Sequence, residues 1–213
     1  PFYSMKSDRH HLKSDFQGKL AGNLHWEAGA FANLYKTGEV DVASINKGKE
    51  ENQQYPEEMP TLFGIYKKNG IIPEDEAKGG FDSGIRLGLM YDSRDKDSAP
   101  SSGIWAEAHV TAALPGISKH PYAGYSMTWR QYLPLIKNDV LTFAYRLNYE
   151  GKFGRDIPFY VLPYLTAMGE KDDVNGMGGY QTTRGIMLSR VVGLDMMSYN
   201  VELRWRPIRF TLM

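Results

Sequence analysis

Apolar and polar residues alternate with a period of two in six stretches of this 213-residue chain, and each alternation predicts a β-strand. In residues 20–34 the apolar set is Leu20, Leu24, Trp26, Ala28, Ala30, Ala32 and Leu34, set against Asn23, His25, Glu27 and Asn33. Residues 84–92 place Ile85, Leu87, Leu89 and Tyr91 opposite Arg86, Gly88 and Asp92. Residues 104–112 oppose Ile104, Ala106, Ala108, Val110 and Ala112 to Trp105, Glu107, His109 and Thr111. The same rhythm runs through 123–133, 140–150 and 197–206, where Arg130, Arg146, Glu150, Glu202, Arg204 and Arg206 stand on the polar side.

Alternation by itself also suits a soluble sandwich. Two features favour a membrane wall. The polar faces are crowded with Arg, Glu, Asn and His, and Tyr and Trp gather near the ends of the apolar faces, as in aromatic girdles around a polar lumen. Each stretch also reaches the ~9–11 residues a tilted strand needs to cross hydrocarbon. Connection lengths add a third argument. Residues 94–102 and 134–138 are short links, whereas 37–82, 114–121 and 151–194 fall at the opposite strand ends. Short turns on one side and long loops on the other are the habit of transmembrane barrels. The expected fold is all-β, an antiparallel transmembrane β-barrel, with residues 1–213 as part of one barrel domain and 37–82 and 151–194 as its long outer loops. Six strands are fewer than the roughly eight that close a membrane barrel. Leu20 and Trp205 are therefore expected on edges that continue, in a longer chain or, less commonly, in other chains. The opening Pro1 fits a fragment or processed form. Within 37–82, Leu62, Phe63, Ile65 and Tyr66 predict a short helix interrupted by Pro56 and Pro60.

Composition agrees with strands and turns: 13% aromatic residues and 22 glycines. A net charge of zero provides no basis for nucleic-acid binding. The lack of cysteine excludes disulfides, thiolate metal sites and thiol nucleophiles.

Two motifs carry a family resemblance. "LGLMYDSRDKDSAPSSGIWAEA" (87–108) has an Asp-x-Arg-Asp, then a proline and a glycine, then an alternating strand. "GGYQTTRGI" (178–186) has a Gly-Gly followed by an Arg-Gly pair on a long loop before the last strand. In this order they resemble the outer-membrane assembly family that includes BamA and TamA, the bacterial surface antigens, over roughly 61–207. The resemblance implies that the loop folds back into the lumen, where Arg184 pairs with acidic residues of the inner wall and Gly185 permits the tight turn. Gly178 and Gly179 would allow close backbone approach. Glu202 is the candidate partner on the following strand, with further acids expected beyond Met213. Ile186 departs from the usual aromatic after Arg-Gly. For the turn residues Asp92, Arg94 and Asp95, a local salt-bridged turn and a part in mechanism are equally open readings.

Catalysis finds little footing. His10 and His11 are adjacent and point to opposite faces of a strand, a poor metal pair. His109 lies beside Glu107 on the polar face, the pattern of a lumen hydrogen-bond network. Gly-x-Ser-x-Gly is missing, and no phosphate-binding glycine loop is present. The chain is expected not to be an enzyme and to need no cofactor or metal. By resemblance it would insert or translocate client polypeptides at the bacterial outer membrane, amid outer-membrane lipid and with accessory membrane subunits. The alternative is a pore-forming or structural barrel acting as a partner subunit.

Overall fold

The computed structural model describes residues 2–56, 59–136, 139–165, 174–179, 182–187 and 191–207. Tyr180 and Gln181 of the loop motif, residues 137–138 of one predicted link and Met213 lie outside them. Seven long strands form one antiparallel sheet. They are β1 (Lys6–Ala21), β2 (Leu24–Gly38), β3 (Phe81–Asp92), β4 (Gly103–Ala113), β5 (Ala123–Ile136), β6 (Leu141–Phe153) and β9 (Asp195–Trp205). The two-residue strands β7 (Tyr164–Leu165) and β8 (Val174–Asn175) make a separate ribbon inside the last long loop. The long strands pair in chain order, β1-β2-β3-β4-β5-β6-β9, and the sheet is unclosed among the described residues.

Six predicted strands thus become seven, and the correction has a local cause. Along β1 the outward positions alternate Leu12, Ser14, Phe16, Gly18 and Leu20, so small and polar residues break up the apolar signal. Leu20 belongs to this edge strand, and the turn at Gly22–Asn23 divides the predicted 20–34 run. The link expected at 134–138 starts later, because Pro134 to Ile136 remain in β5 through a register shift.

The sheet is buried on its polar side. Arg86 and Glu150 are each 2% exposed, and Glu27, Asn33, Thr111, Ser126, Thr142 and Ser198 are buried as well. Leu12, Phe16, Leu87, Leu89, Val110, Met127, Leu147 and Val201 are exposed. A soluble sheet has the reverse arrangement, since removing apolar surface from water is what drives its folding. An apolar outer face is stable only against another apolar medium, as in a transmembrane barrel. Register lines up the inner face in rows, and one row runs Gln17, Glu27, Gly88, His109, Ser126, Glu150 and Met196 from β1 to β9.

Among the described residues, the buried hydrophobic clusters lie where the long connections pack against one another and against the end of β2. Tyr35, Tyr160 and Val161 form one buried cluster, and Phe63, Ile72 and Ala77 another, with Phe159 touching both. Two short helices serve this region, α1 (Val42–Asn46) and α2 (Leu62–Lys68). The helix α2 begins just past Pro60 because Thr61 caps it, its hydroxyl accepting from Gly64 N–H at 3.0 Å. The Glu76 carboxylate accepts from Phe159 N–H at 3.2 Å, tying the two longest loops together.

Candidate functional site

Within the loop motif, residues 178–179 and 182–187 are described, and hydrogen bonds between these two pieces draw them together. Gly178 has φ +118°, and a Cβ there would stand 2.1 Å from the Met187 carbonyl oxygen, so only glycine fits. The Thr182 hydroxyl accepts from Gly178 N–H and donates to Gly178 O, both at 2.7 Å, and Thr182 is buried. Gly179 N–H donates to Ile186 O at 2.8 Å, closing the other side. Gly185 follows with φ +87°, and Arg184 is carried out from the tip. Ile186, which stands where the resemblance would place an aromatic, is 41% exposed.

From this tip Arg184 reaches the inner face of β9, where its Nη2 lies 3.3 Å from Glu202 Oε1. Glu202 also takes Arg204, at 2.9 Å and 3.0 Å to its other oxygen. Arg204 in turn donates to Pro100 O at 3.4 Å, and Arg206 donates to Ala99 O at 3.2 Å. Side chains of β9 therefore join the long loop at one end of the wall to the β3–β4 turn at the other. The Arg184 side chain is 73% exposed, so this pair alone contributes at most about 1 kcal/mol.

The β3–β4 turn is locally braced. Arg94 grips Asp92 through Nε at 2.9 Å and Nη2 at 2.6 Å, a bidentate charge-assisted pair. Asp95 instead organises the backbone, accepting from Ser101 N–H, Ser101 Oγ and Ser102 N–H at 2.6–3.1 Å. Lys96 reaches Asp139 in the neighbouring β5–β6 turn at 3.0 Å. Burial works against the Asp95 anion, but the Ser101 and Ser102 hydrogen bonds outweigh it and hold the carboxyl at about 2. An unfolded aspartate titrates near 4. The depressed value means the turn gains stability above pH ~4 and loses it as pH falls through about 2. The Ser101 and Ser102 amide resonances are expected to titrate with a midpoint near 2, and a midpoint near 4 refutes the arrangement.

Several residues here were not singled out by sequence. Thr182 closes the turn on Gly178 four residues away, whereas Arg204, placed by sequence only on the polar face, reaches the motif proline Pro100, and Arg206 reaches Ala99, through contacts between distant segments. Lys152 is another, set 3.1 Å from Glu150 and donating to Tyr164 O at 2.9 Å. His11 contacts Arg9 and Asn33 on the inner face while His10 is exposed, as their adjacency requires. His109 sits 3.2 Å from Glu107. No group of three or more metal-ligating side chains occurs among the described residues.

Comparison with known proteins matches this architecture to one family. The search of curated proteins finds no match. Among solved structures 46 chains match. One is the crystal structure of BamA from Haemophilus ducreyi lacking POTRA domains 1–3, with TM-score 0.57 and 17% identity. That alignment covers 93% of this chain and 37% of the other, and at such identity it speaks to fold alone. The Omp85 superfamily domain matches residues 7–206, nearly the whole sheet with its loop motif. With its apolar outer wall, polar inner wall and that match, the chain belongs to the Omp85 superfamily and forms part of the wall of an outer-membrane β-barrel whose fold is similar to that of BamA.

Proposed function

We propose that this barrel, with residues 1–213 as part of one barrel domain, inserts or translocates client polypeptides at the bacterial outer membrane. The observation that supports this reading most is the Gly-Gly/Arg-Gly turn laid against the inner face of β9 within an Omp85 domain. A lone strand in hydrocarbon carries N–H and C=O groups whose lack of partners costs several kcal/mol each. A barrel that parts two of its strands offers a template edge on which a client satisfies them. The loop expected at 151–194, which starts after β6 ends at Phe153, acts as the brace that preserves the wall while the seam opens, with Arg184 and Glu202 as contact and Gly178, Gly179 and Gly185 as its hinge geometry. The Asp92–Arg94 pair and Asp95 stiffen the turn that β9 leans on. No side chain acts as a chemical catalyst in this reading, outer-membrane lipid covers the apolar face, and accessory membrane subunits join the full-length protein.

Arg184→Ala in the full-length protein is expected to increase protease cleavage within the long loop and to lower the temperature at which heat-resistant migration is lost. Unchanged protection and migration refute the brace. The role itself is tested by depleting the full-length protein and quantifying other folded outer-membrane barrels by heat-modifiable gel shift. A broad fall supports assembly. Normal folding of the other barrels overturns it and favours a pore or structural partner subunit.

A further inference from the structure

An inner-wall cavity of about 170 Å³ lies where β5, β6, β9 and the loop tip meet. Four guanidinium groups line it, those of Arg130, Arg146, Arg184 and Arg204, and Glu202 is its one lining carboxylate among the described residues. That carboxylate is already shared between Arg184 and Arg204. Arg130 and Arg146 are direct cross-strand partners, so two like charges stand side by side on the inner face. Such a pairing is unfavourable unless something else compensates it. Part of the compensation is a ring contact, since Arg130 lies over the Trp105 ring at 4.6 Å. Its Nε is nonetheless buried without a hydrogen-bond partner. Glu107, the next inward carboxylate along β4 from Trp105, lies 3.2 Å from His109 and attracts both arginines through space, but it does not line the cavity.

We infer that this cavity is an oxyanion-binding site, with Arg130 and Arg146 as its principal donors and Arg204 completing it from β9. Guanidinium forks match the paired oxygens of a carboxylate or phosphate, and a buried donor lacking a partner gains most from one. The cavity has ample room for one small oxyanion and its waters. Its chemistry is shared by a free phosphate and by an acidic side chain of a polypeptide within the lumen. The site stands on lumen geometry alone, so its failure leaves the assembly role untouched.

The test is calorimetric titration of the full-length protein in nanodiscs, at low salt, with inorganic phosphate and separately with a hexaglutamate peptide. Saturable binding of either probe is expected, weakened about tenfold by Arg130→Gln and by Arg146→Gln, since each removes one charge-assisted bond. Tighter binding of the peptide identifies a polypeptide source, and binding of phosphate alone a free anion. Arg130→Lys, which keeps charge but not the fork, is expected to fall between, and heat-modifiable migration verifies that each variant is folded. Absence of binding by both probes overturns the site, the result if a carboxylate elsewhere in the full-length chain already fills it. Equal binding by the glutamine variants overturns it too.

Discussion

Replacing Leu87 by arginine is expected to destabilise the inserted barrel by about 2–4 kcal/mol, the cost of a cation on the lipid face near the bilayer midplane. Leu87 sits at the middle of β3, between Ala28 of β2 and Val110 of β4, and is 51% exposed. On a soluble protein a half-exposed leucine on a strand accepts arginine with little consequence, usually within about 0.5 kcal/mol. The two environments thus predict opposite results for one substitution. Denaturant unfolding in lipid vesicles, followed by heat-modifiable migration, measures the difference. A loss of stability below about 0.5 kcal/mol means that the apolar face does not meet hydrocarbon. Leu87→Ala provides the size control, because it removes packing without adding charge.

Lys152→Met is expected to cost about 3–5 kcal/mol for the opposite reason, by disturbing charge on the buried side of the same wall. The Lys152 ammonium lies 3.1 Å from Glu150, both side chains are almost inaccessible, and a second contact runs to Tyr164 O in the last long loop. Removing the cation leaves the carboxylate without its ammonium and releases the loop from the wall. Converting both residues, as Lys152→Met with Glu150→Leu, is expected to recover most of the loss, since a buried ion pair and an apolar pair of similar volume often balance. A double-mutant cycle on unfolding free energy reads the coupling. Coupling near zero shows that lumen water screens the pair.

Much of the wall was legible residue by residue. Trp26, Ala28 and Ala30 alternate with His25, Glu27 and Gly29 because a strand sends successive side chains to opposite faces, a rule that needs no tertiary knowledge. The strand β1 was not legible, because His10, Ser14 and Gly18 interrupt its outward face while its pairing to β2 supplies the order that composition does not. The loop motif was visible as glycines around an arginine, and the positive φ at Gly178 and Gly185 is the backbone property such residues serve. The buried Thr182 that closes the turn drew no attention, since a threonine in a polar loop looks like any other.

The chain by itself determined the period of its strands, the chemistry of each face and the alternation of short and long connections. All three depend on neighbours a few positions apart, where backbone pleat and turn propensity act directly. Only the tertiary structure decided what those faces meet. Arg184 reaches Glu202 across 18 residues, and Arg206 reaches Ala99 across 107. Arg130 stands beside Arg146 through register alone. These contacts follow from strand order and from where loops and turns land on the inner wall, and nothing local to any one of the residues specifies them.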